Sequence, residues 1–391
     1  MANLRRHLSG YSFIAPWLVA LVLFIGFPFL AGLYFSFCDY PPLKTPVFIG
    51  LDNYAELVGD VKFHHSMGVT LLYASAAIPL GVLLAITLAM LLNARVRGQS
   101  LYRVIFYIPH LVPTVVVALL WMWIFNPEYG LLNIVLARLF QAADGWTGIF
   151  VSLAAAAERQ NFFEWPAALL VIAPVLAAIS IGPWVPAGLR ARPSLHRFMA
   201  FAAIVLVVAG SLALVNAALT YADPFDMRKL HAPGWLTDAD TVPSFLPYGP
   251  SMALWALILM SLWSVGQMAI IYLAKLQDVP GELYEAADID GANWAQKTWH
   301  ITIPMISPVI LFNVVMAIIG TFQVFAEPYI MTAGGPEDKT RFVAMFVYDN
   351  AFLYQRVGYA SAVAWVLFIM IVVLTLLAFR LSQKRVYYAG R

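Results

Sequence analysis

Long uninterrupted apolar runs restrict the possible folds of this chain more than any other feature of its sequence. A helix of about 20 apolar residues spans the hydrocarbon core of a bilayer, which is about 30 Å thick. Charged residues make up only 11% of the chain, against about 25% in an average soluble domain. The chain is therefore predicted to be an all-α, polytopic helical membrane protein. Eight such runs occur, near residues 12–37, 69–92, 104–125, 166–189, 199–220, 251–274, 305–326 and 360–380.

The distribution of charge predicts how these spans are oriented. Cytoplasmic loops of membrane proteins are enriched in Lys and Arg. If both termini are cytoplasmic, the inner segments hold 14 of the 23 basic residues, and all but five of the acidic residues fall outside. We expect the first run to be an uncleaved span, because it is too long for the apolar part of a signal peptide. The five inner carboxylates all lie between the sixth and seventh runs: Asp278, Glu282, Glu285, Asp288 and Asp290.

Motifs for catalysis are absent from the sequence. It contains no GxxxxGK[ST] phosphate loop, no HExxH and no GxSxG with suitable partners, so no catalytic residue is assigned and ATP hydrolysis by this chain is not expected. The lone Cys38 indicates neither a disulfide nor a metal site. No charged residue lies in the central part of a span, which disfavours an ion-coupled transporter. The polar residues in the spans are neutral: His110, Asn216, Gln267, Asn313, Thr321 and Gln323.

The acidic loop between the sixth and seventh runs is predicted to contain a short helix. Pro280 and Gly281 interrupt the sixth run, and Glu282 and Glu285 then fall in the first turn, where the helix dipole favours carboxylates. Gly291 is expected to end or kink this helix, and Pro304 to open the seventh span. An ordinary re-entry loop with a solvated acidic face would explain the same pattern.

The sequence "EAADIDGANWAQKTWHITIP" in this loop resembles the EAA loop of the permease subunits of bacterial ABC importers. The segments "ITIPMISPVILF", "TAGGP" and "FYIPHLVPTVVVALLWMWIFNPEYGLLN" resemble the carbohydrate-type permeases related to the maltose and glycerol-3-phosphate systems. The resemblance covers residues 1–136 and 251–391, and it implies a multi-pass protein of the bacterial cytoplasmic membrane.

The resemblance also implies a division of the chain into three parts. Residues 1–136 form the first part of a six-span, type I ABC importer core, and residues 251–391 form the second part, with the coupling loop at 275–304. Residues 137–250 depart from the family pattern as an insertion. Their two apolar runs, joined by the basic turn "LRARPSLHRF", predict an added two-span hairpin that packs beside the core or reshapes the surface for a binding protein.

In that family the EAA loop docks into a separate cytoplasmic ATPase. The implied partners are this ATPase dimer, which uses ATP and Mg, a second permease subunit in a heterodimer, and an extracytoplasmic solute-binding protein. No cofactor or nucleic acid is expected to bind the chain itself. The residues implied in ATPase coupling are Glu285, Ala286, Ala287, Asp290, Gly291 and Pro304.

The family places its substrate pocket at mid-membrane, between the spans that flank this loop. The substrate-binding residues implied here are Trp263, Ser264, Gln267, Thr321, Phe322 and Gln323. Aromatic faces and neutral polar groups suit a polyol ring, although helix packing would also explain them. Contact with the binding protein is implied for Gly334, Gly335 and Pro336, where a plain turn is the alternative.

The resulting functional hypothesis is an ATP-driven importer permease for a sugar, polyol or glycoside, working by alternating access. A glycerol-phosphate permease is the alternative within the family, disfavoured because no basic residue occupies the implied pocket positions. Two other classes stay open. One is an ion-independent secondary transporter or channel, and the other is a membrane enzyme whose active part is the insertion.

Overall fold

A computed structural model describes residues 14–93, 99–135, 222–223, 226–230, 234–237 and 251–383. Helices form most of these ranges, together with two short antiparallel strand pairs. Strand β1 (Cys38–Asp39) pairs with β2 (Val47–Phe48), and β3 (Ala222–Asp223) pairs with β4 (Asp226–Leu230). Both chain termini and the predicted spans at 166–189 and 199–220 lie outside the described residues.

The helices before the insertion cover the first three apolar runs. Pro28, in the first of them, follows a π-helical turn at Val22–Gly26. These helices are α1 (Ile14–Ser36), α2 (Asp52–Gly59), α3 (Val61–Asn93), α4 (Gln99–Leu111) and α5 (Thr114–Ile124).

The helices after the insertion cover the last three runs and the loop between them. Two π-helical segments, Thr298–Thr302 and Asp349–Leu353, continue α9 and α12 respectively. These helices are α6 (Met252–Trp263), α7 (Gly266–Gln277), α8 (Gly281–Ile289), α9 (Trp294–Lys297), α10 (Ile303–Phe322), α11 (Ala326–Met331), α12 (Val343–Tyr348) and α13 (Val357–Ser382).

Each apolar run within the described ranges contains helix, but two of the six runs are bent. Within the described ranges, four segments are long and apolar enough to cross a membrane, namely Ile14–Ser36, Val61–Asn93, Trp294–Met331 and Val357–Ser382. The run at 104–125 was expected as one span, yet α4 and α5 meet at 99°. Pro109 and Pro113 explain this bend, because each lacks a backbone N–H and Pro113 disfavours helical geometry at the residue before it.

The seventh span begins earlier than the sequence predicts. Pro304 was expected to open it, but the helical segment starts at Trp294 and passes through Pro304. A capping box at Asn293 and Gln296 starts the segment, with hydrogen bonds of 3.0 and 2.7 Å between side chain and backbone. The π-helical turn at Thr298–Thr302 immediately precedes the proline. Its wider spacing accommodates the ring that a regular α-helix would exclude.

Helix α3 lies at the centre of the packing and contributes to all three buried apolar clusters. Tyr73 packs with α5, α6 and α12, Phe63 packs with α12 and α13, and Ala89 packs with α7 and α10. A further contact joins α3 to α12, because the backbone N–H of Val343 donates to Oγ1 of buried Thr70 at 3.1 Å. The Ala89 cluster lies at the end of α3 nearest to α8, since it also contains the last turn of α7.

Helices α4 and α7 approach so closely that only glycine fits at their crossing. A Cβ atom placed on Gly266, the first residue of α7, would lie 1.7 Å from the carbonyl oxygen of Phe106. The second bent pair, α6 and α7, changes direction by 42° just before this contact. The two bent pairs are therefore packed backbone to backbone.

Hydrogen bonds and an ion pair join α1, α2 and α13 at the end of the molecule opposite α8. The buried Asn53 amide donates to the carbonyl oxygens of Ser36 and Cys38 at 3.0 and 2.9 Å. Arg356 forms a two-point ion pair with Glu56, with N–O distances of 2.8 and 2.6 Å. These contacts fix the start of α13 against α2.

Candidate functional site

A cavity of about 390 Å³ lies where three helices are interrupted. Val112 lines it from the break between α4 and α5, Ser264 from the break between α6 and α7, and Val324 from the break between α10 and α11. Irregular backbone at membrane depth is tolerated where it is enclosed by protein or lines a cavity. The shared position of the breaks therefore indicates a binding site, in the manner of interrupted helices in transporters.

The side chains that line this cavity suit a ligand rich in hydroxyl groups. Tyr73 and Trp263 supply aromatic surface, and the indole of Trp263 is held edge-on against Trp121 with ring centroids 6.1 Å apart. Short polar side chains and one carboxylate complete the polar lining: His110, Thr114, Ser261, Ser264, Thr321 and Glu327. A volume of this size falls within the range of about 300 to 1,000 Å³ typical of small-molecule pockets.

Three of the six implied substrate residues line the cavity. Trp263, Ser264 and Thr321 do, whereas Gln267 and Gln323 are exposed elsewhere. Phe322 is only 2% exposed and packs in the apolar cluster between α3 and α13. Successive helical residues point about 100° apart, so Phe322 faces this apolar cluster and not the cavity that Thr321 lines.

Several cavity-lining residues were assigned no role in binding from the sequence, and two of them, Glu327 and His110, carry ionisable side chains at helix breaks. Glu327 was assigned to an outer loop because it lies one residue beyond the predicted span at 305–326, yet it lines the cavity from the first turn of α11. His110 was noted only as a neutral residue in a span, and it lies at the bend after α4. The two prolines around His110 were the available signal, because they predict a break that would expose its surroundings.

Helix α8 lies where the sequence of the acidic loop predicts a short helix. Pro280 caps it, Glu282 lies in its first turn, and Glu285 lies one turn later than expected. Gly291 ends it with a φ of +72°, a conformation that favours glycine. The N–H of Gly291 donates to Asp288 and that of Ala292 to Ala287, which is the Schellman pattern of a helix end.

The surface of α8 is uncovered and rich in large apolar groups. Ile289 is 88% exposed and Trp299, on the following segment, is 72% exposed. Tyr284 and Thr302 are joined by a hydrogen bond of 3.0 Å, and Lys297 pairs with Asp288, so α8 is attached to the π-helical turn before α10. Of the implied coupling residues, four are exposed and two half-buried: Glu285, Ala286, Asp290 and Gly291, then Ala287 and Pro304.

The loop between α11 and α12 contains the implied binding-protein residues. Gly334 has a φ of +91°, and the Gly335–Pro336 peptide bond is cis. Thr340 fixes the loop, because its hydroxyl donates to the carbonyl oxygen of Gly335 at 2.6 Å and its N–H to that of Gly334 at 3.1 Å. The loop therefore has a defined shape.

A second, more open cavity of about 460 Å³ lies beside this loop and also borders the segment at 137–250. Gly335 and Pro336 line one side of it, and Leu236 and Thr237 line another. The neighbouring Trp235 donates its Nε1–H to Oδ1 of Asn133 at 2.8 Å. This small described part of the 137–250 segment thus packs against the core near α5.

The described part of the chain offers no metal site, since it contains no group of three or more His, Cys, Asp or Glu side chains placed to hold an ion. The side chains around the cavity offer aromatic and hydrogen-bonding groups to a ligand.

Residues 77–386 match the family described as binding-protein-dependent transport system inner membrane component. A relative in Bacillus subtilis, the probable ABC transporter permease protein YesP, is 29% identical over 99% of this chain and 94% of its own length. The trehalose/maltose transport system permease protein MalF of Thermococcus litoralis is 24% identical over 97% of this chain and 96% of its own.

Among solved structures, the chain is similar in fold to one in a bacterial alginate ABC transporter in complex with an alginate pentasaccharide-bound periplasmic protein. The TM-score is 0.62 at 18% sequence identity, and the alignment covers 98% of this chain and 96% of the other. The family match at residues 77–386 includes all three helix breaks around the cavity and the exposed α8.

Proposed function

The chain belongs to the family of binding-protein-dependent transport system inner membrane components, and we propose that it is the permease subunit through which an ABC importer moves a sugar, polyol or glycoside into the cell. Relatives named for carbohydrate transport support this substrate class. The family is one of the inner membrane, in keeping with the long apolar helices of the chain.

The observation that best supports this function is the cavity at the three helix breaks. Trp263 offers an aromatic face, and Ser264 and Thr321 offer hydroxyl groups. A sugar ring has apolar faces and a rim of hydroxyls, so both kinds of lining group find a partner on it. No Lys or Arg occurs among the described residues that line the cavity, which disfavours a glycerol phosphate as the ligand.

The uncovered α8 is proposed as the contact with a cytoplasmic ATPase dimer that uses ATP and Mg. Ile289 of α8 and Trp299 of the π-helical turn that follows α9 are exposed and suited to burial against a partner. Glu285 lies on α8 and Gly291 at its end, and both are exposed. Because α8 is bonded to the segment that leads into α10, movement of the ATPase would reach Thr321 at the cavity. Alternating access would follow if the ligand binds the two conformations unequally.

Two further partners complete the proposal. A second permease subunit is expected to form a heterodimer with this chain, and an extracytoplasmic solute-binding protein to contact the loop at Gly334, Gly335 and Pro336. The 137–250 segment is proposed as an insertion beside this contact, because Trp235 and Leu236 pack near the same loop.

The test is copurification from native membranes followed by an ATPase assay with candidate sugars and binding protein. The wild type is expected to retain a second permease and an ATPase, and its ATPase activity to rise with ligand-loaded binding protein. Glu285→Lys reverses an exposed charge on α8 and should release the ATPase while the second permease stays bound. Gly291→Pro should do the same, because proline cannot adopt a φ of +72°.

The matched control is Glu128→Lys, which reverses an exposed charge in the turn after α5, away from α8. It should keep the ATPase. If the wild type retains no ATPase, the importer assignment fails. If Glu285→Lys and Gly291→Pro both retain it with normal ligand stimulation, α8 is not the coupling contact.

A further inference from the structure

We propose that Glu327 determines ligand specificity in the cavity, by accepting hydrogen bonds from hydroxyl groups of an uncharged saccharide and by excluding acidic saccharides. This inference rests on the proposed function and narrows its substrate class. It assigns a role to a residue that the EAA resemblance does not involve.

The position of Glu327 is set by well-packed neighbours. It lies in the first turn of α11, between the break at 323–325 and Pro328, which is buried and also lines the cavity. Met331, at the other end of α11, is 6% exposed and belongs to the apolar cluster with α5 and α6. This packing fixes the backbone of α11, so the Glu327 side chain starts from a defined position beside the ligand space.

The carboxylate of Glu327 has unused hydrogen-bonding capacity. Among the described residues it accepts no hydrogen bond and forms no ion pair, and its charge acts on the Tyr73 side chain, which also lines the cavity. The nearest cations after it in the chain are paired with other carboxylates, Lys339 with Glu337 at 3.3 Å and Arg341 with Asp338 and Asp349. An ionised carboxylate is an acceptor with about four lone-pair positions. A ligand with several hydroxyl groups could therefore donate hydrogen bonds to it.

The charge of Glu327 is not balanced within the lining of the cavity. It is the only carboxylate among the described lining residues, and none of them is Lys or Arg. A second negative charge brought by a ligand would therefore be repelled inside a partly enclosed site, where such repulsion is weakly screened. An uncharged saccharide would meet no such cost and would gain charge-assisted hydrogen bonds.

The test is uptake by cells that contain the complete importer. The probes are radiolabelled disaccharides and trisaccharides of matched size in neutral, uronic-acid and amino-sugar forms. The wild type is expected to import at least one neutral saccharide and no uronic-acid form. Glu327→Gln should lower uptake of that neutral saccharide by about tenfold, since a hydrogen bond to a charged group becomes one to a neutral amide, and should admit its uronic-acid counterpart.

Two further variants separate charge from structure. Glu327→Asp keeps the charge and should still exclude the uronic-acid form. Glu128→Gln removes an exposed carboxylate outside the cavity and should leave the uptake of all three forms unchanged.

The possible failures are distinct. Import of a uronic-acid form by the wild type at a rate like that of the neutral form overturns the specificity role. An unchanged preference in Glu327→Gln, with the variant present at normal levels in the assembled importer, overturns it as well. If no saccharide of any charge is imported, the carbohydrate function itself is wrong, and the inference falls with it.

Discussion

Asp60 shows how a single carboxylate joins two distant parts of the chain. It lies between α2 and α3, accepts a hydrogen bond from the Tyr359 hydroxyl of α13 at 2.7 Å, and accepts others from the backbone N–H groups of Lys62 and Phe63. Burial raises the pKa of the Asp60 carboxyl, but these hydrogen bonds outweigh burial, and its pKa is lowered overall. The folded state therefore favours the charged form.

Asp60→Asn is expected to destabilise the protein by about 1 to 2 kcal/mol at neutral pH, because a hydrogen bond to a charged group is lost. The contribution of a carboxyl with a lowered pKa is fully present above its unfolded pKa of about 3.9 and is lost as the pH falls through the folded value. The difference in stability between wild type and variant should therefore shrink as the pH is lowered below about 4.

Thermal unfolding of the detergent-solubilised protein at a series of pH values measures this difference. The control is Asp52→Asn, at an exposed position in the first turn of α2, which should change stability by less than about 0.5 kcal/mol. An equal loss for Asp60→Asn at all pH values would show that the Asp60 charge contributes nothing.

At the scale of helices, the sequence predicts the positions of the apolar segments better than their bends and the faces that they turn to the cavity. The six runs within the described ranges all contain helix, because length and hydropathy are sufficient to identify a span. Hydrophobic periodicity could not predict which face of α10 meets the cavity, since apolar residues lie on all sides of this helix. Thr321 and Phe322 were therefore both expected to bind substrate, although only Thr321 lines the cavity. Glu327 was not expected at the cavity, because the sequence did not indicate that α11 continues the span beyond residue 326.

The proline and glycine signals around α8 predicted the ends of that helix better than hydrophobic periodicity predicted the faces of the spans, because they act on the local backbone. Pro280 and Gly291 bound the helix as the sequence indicates. The prediction that Pro304 opens the span was wrong, since α9, the π-helical turn and Ile303 add ten helical residues, from Trp294 to Ile303, before the proline. The sequence contained no equivalent signal for that turn.

The crossing of α4 and α7 allows a sharp test at this scale. Gly266→Ala places a Cβ 1.7 Å from the carbonyl oxygen of Phe106, so the two backbones must separate. We expect a loss of about 3 kcal/mol or more, at or beyond the upper end for overpacked sites. The measurement is thermal unfolding together with the yield of folded protein from membranes.

Gly68→Ala is the matched control, because Gly68 lies within α3 and a Cβ there meets no atom within 4 Å. It should be neutral or stabilising by up to about 1 kcal/mol, since alanine favours helix over glycine. Similar stability of the Gly266→Ala and Gly68→Ala variants would contradict the close approach of α4 and α7.

At the scale of the whole molecule, the proposed orientation follows from charge alone and can be tested by labelling. Cys38 is fully buried, so the natural cysteine should not react with a maleimide in the folded protein. Leu43→Cys introduces a thiol at a position that is 92% exposed between β1 and β2, and Ile289→Cys one that is 88% exposed on α8. A membrane-impermeant maleimide should label Leu43→Cys from outside the cell.

Ile289→Cys should react only in inside-out vesicles stripped of peripheral proteins. Labelling of both positions from the same side would contradict the arrangement in which α8 faces the cytoplasm. The predicted insertion at 137–250 lies almost wholly outside the described residues, so its two spans stay predictions that the same labelling approach can address.

The unbroken course of α3 has a consequence for motion. A continuous helix transmits displacement along its length, whereas an interrupted one can swivel at its gap without straining its backbone hydrogen bonds. Helix α3 runs from Val61 to Asn93, continues through Pro79, and contributes to all three buried clusters of the described residues, so we expect it to keep its position while the bent helices move. The helices on either side of Val112 and Ser264 would then rotate relative to α3. Such a rotation would open one side of the cavity while it closes the other.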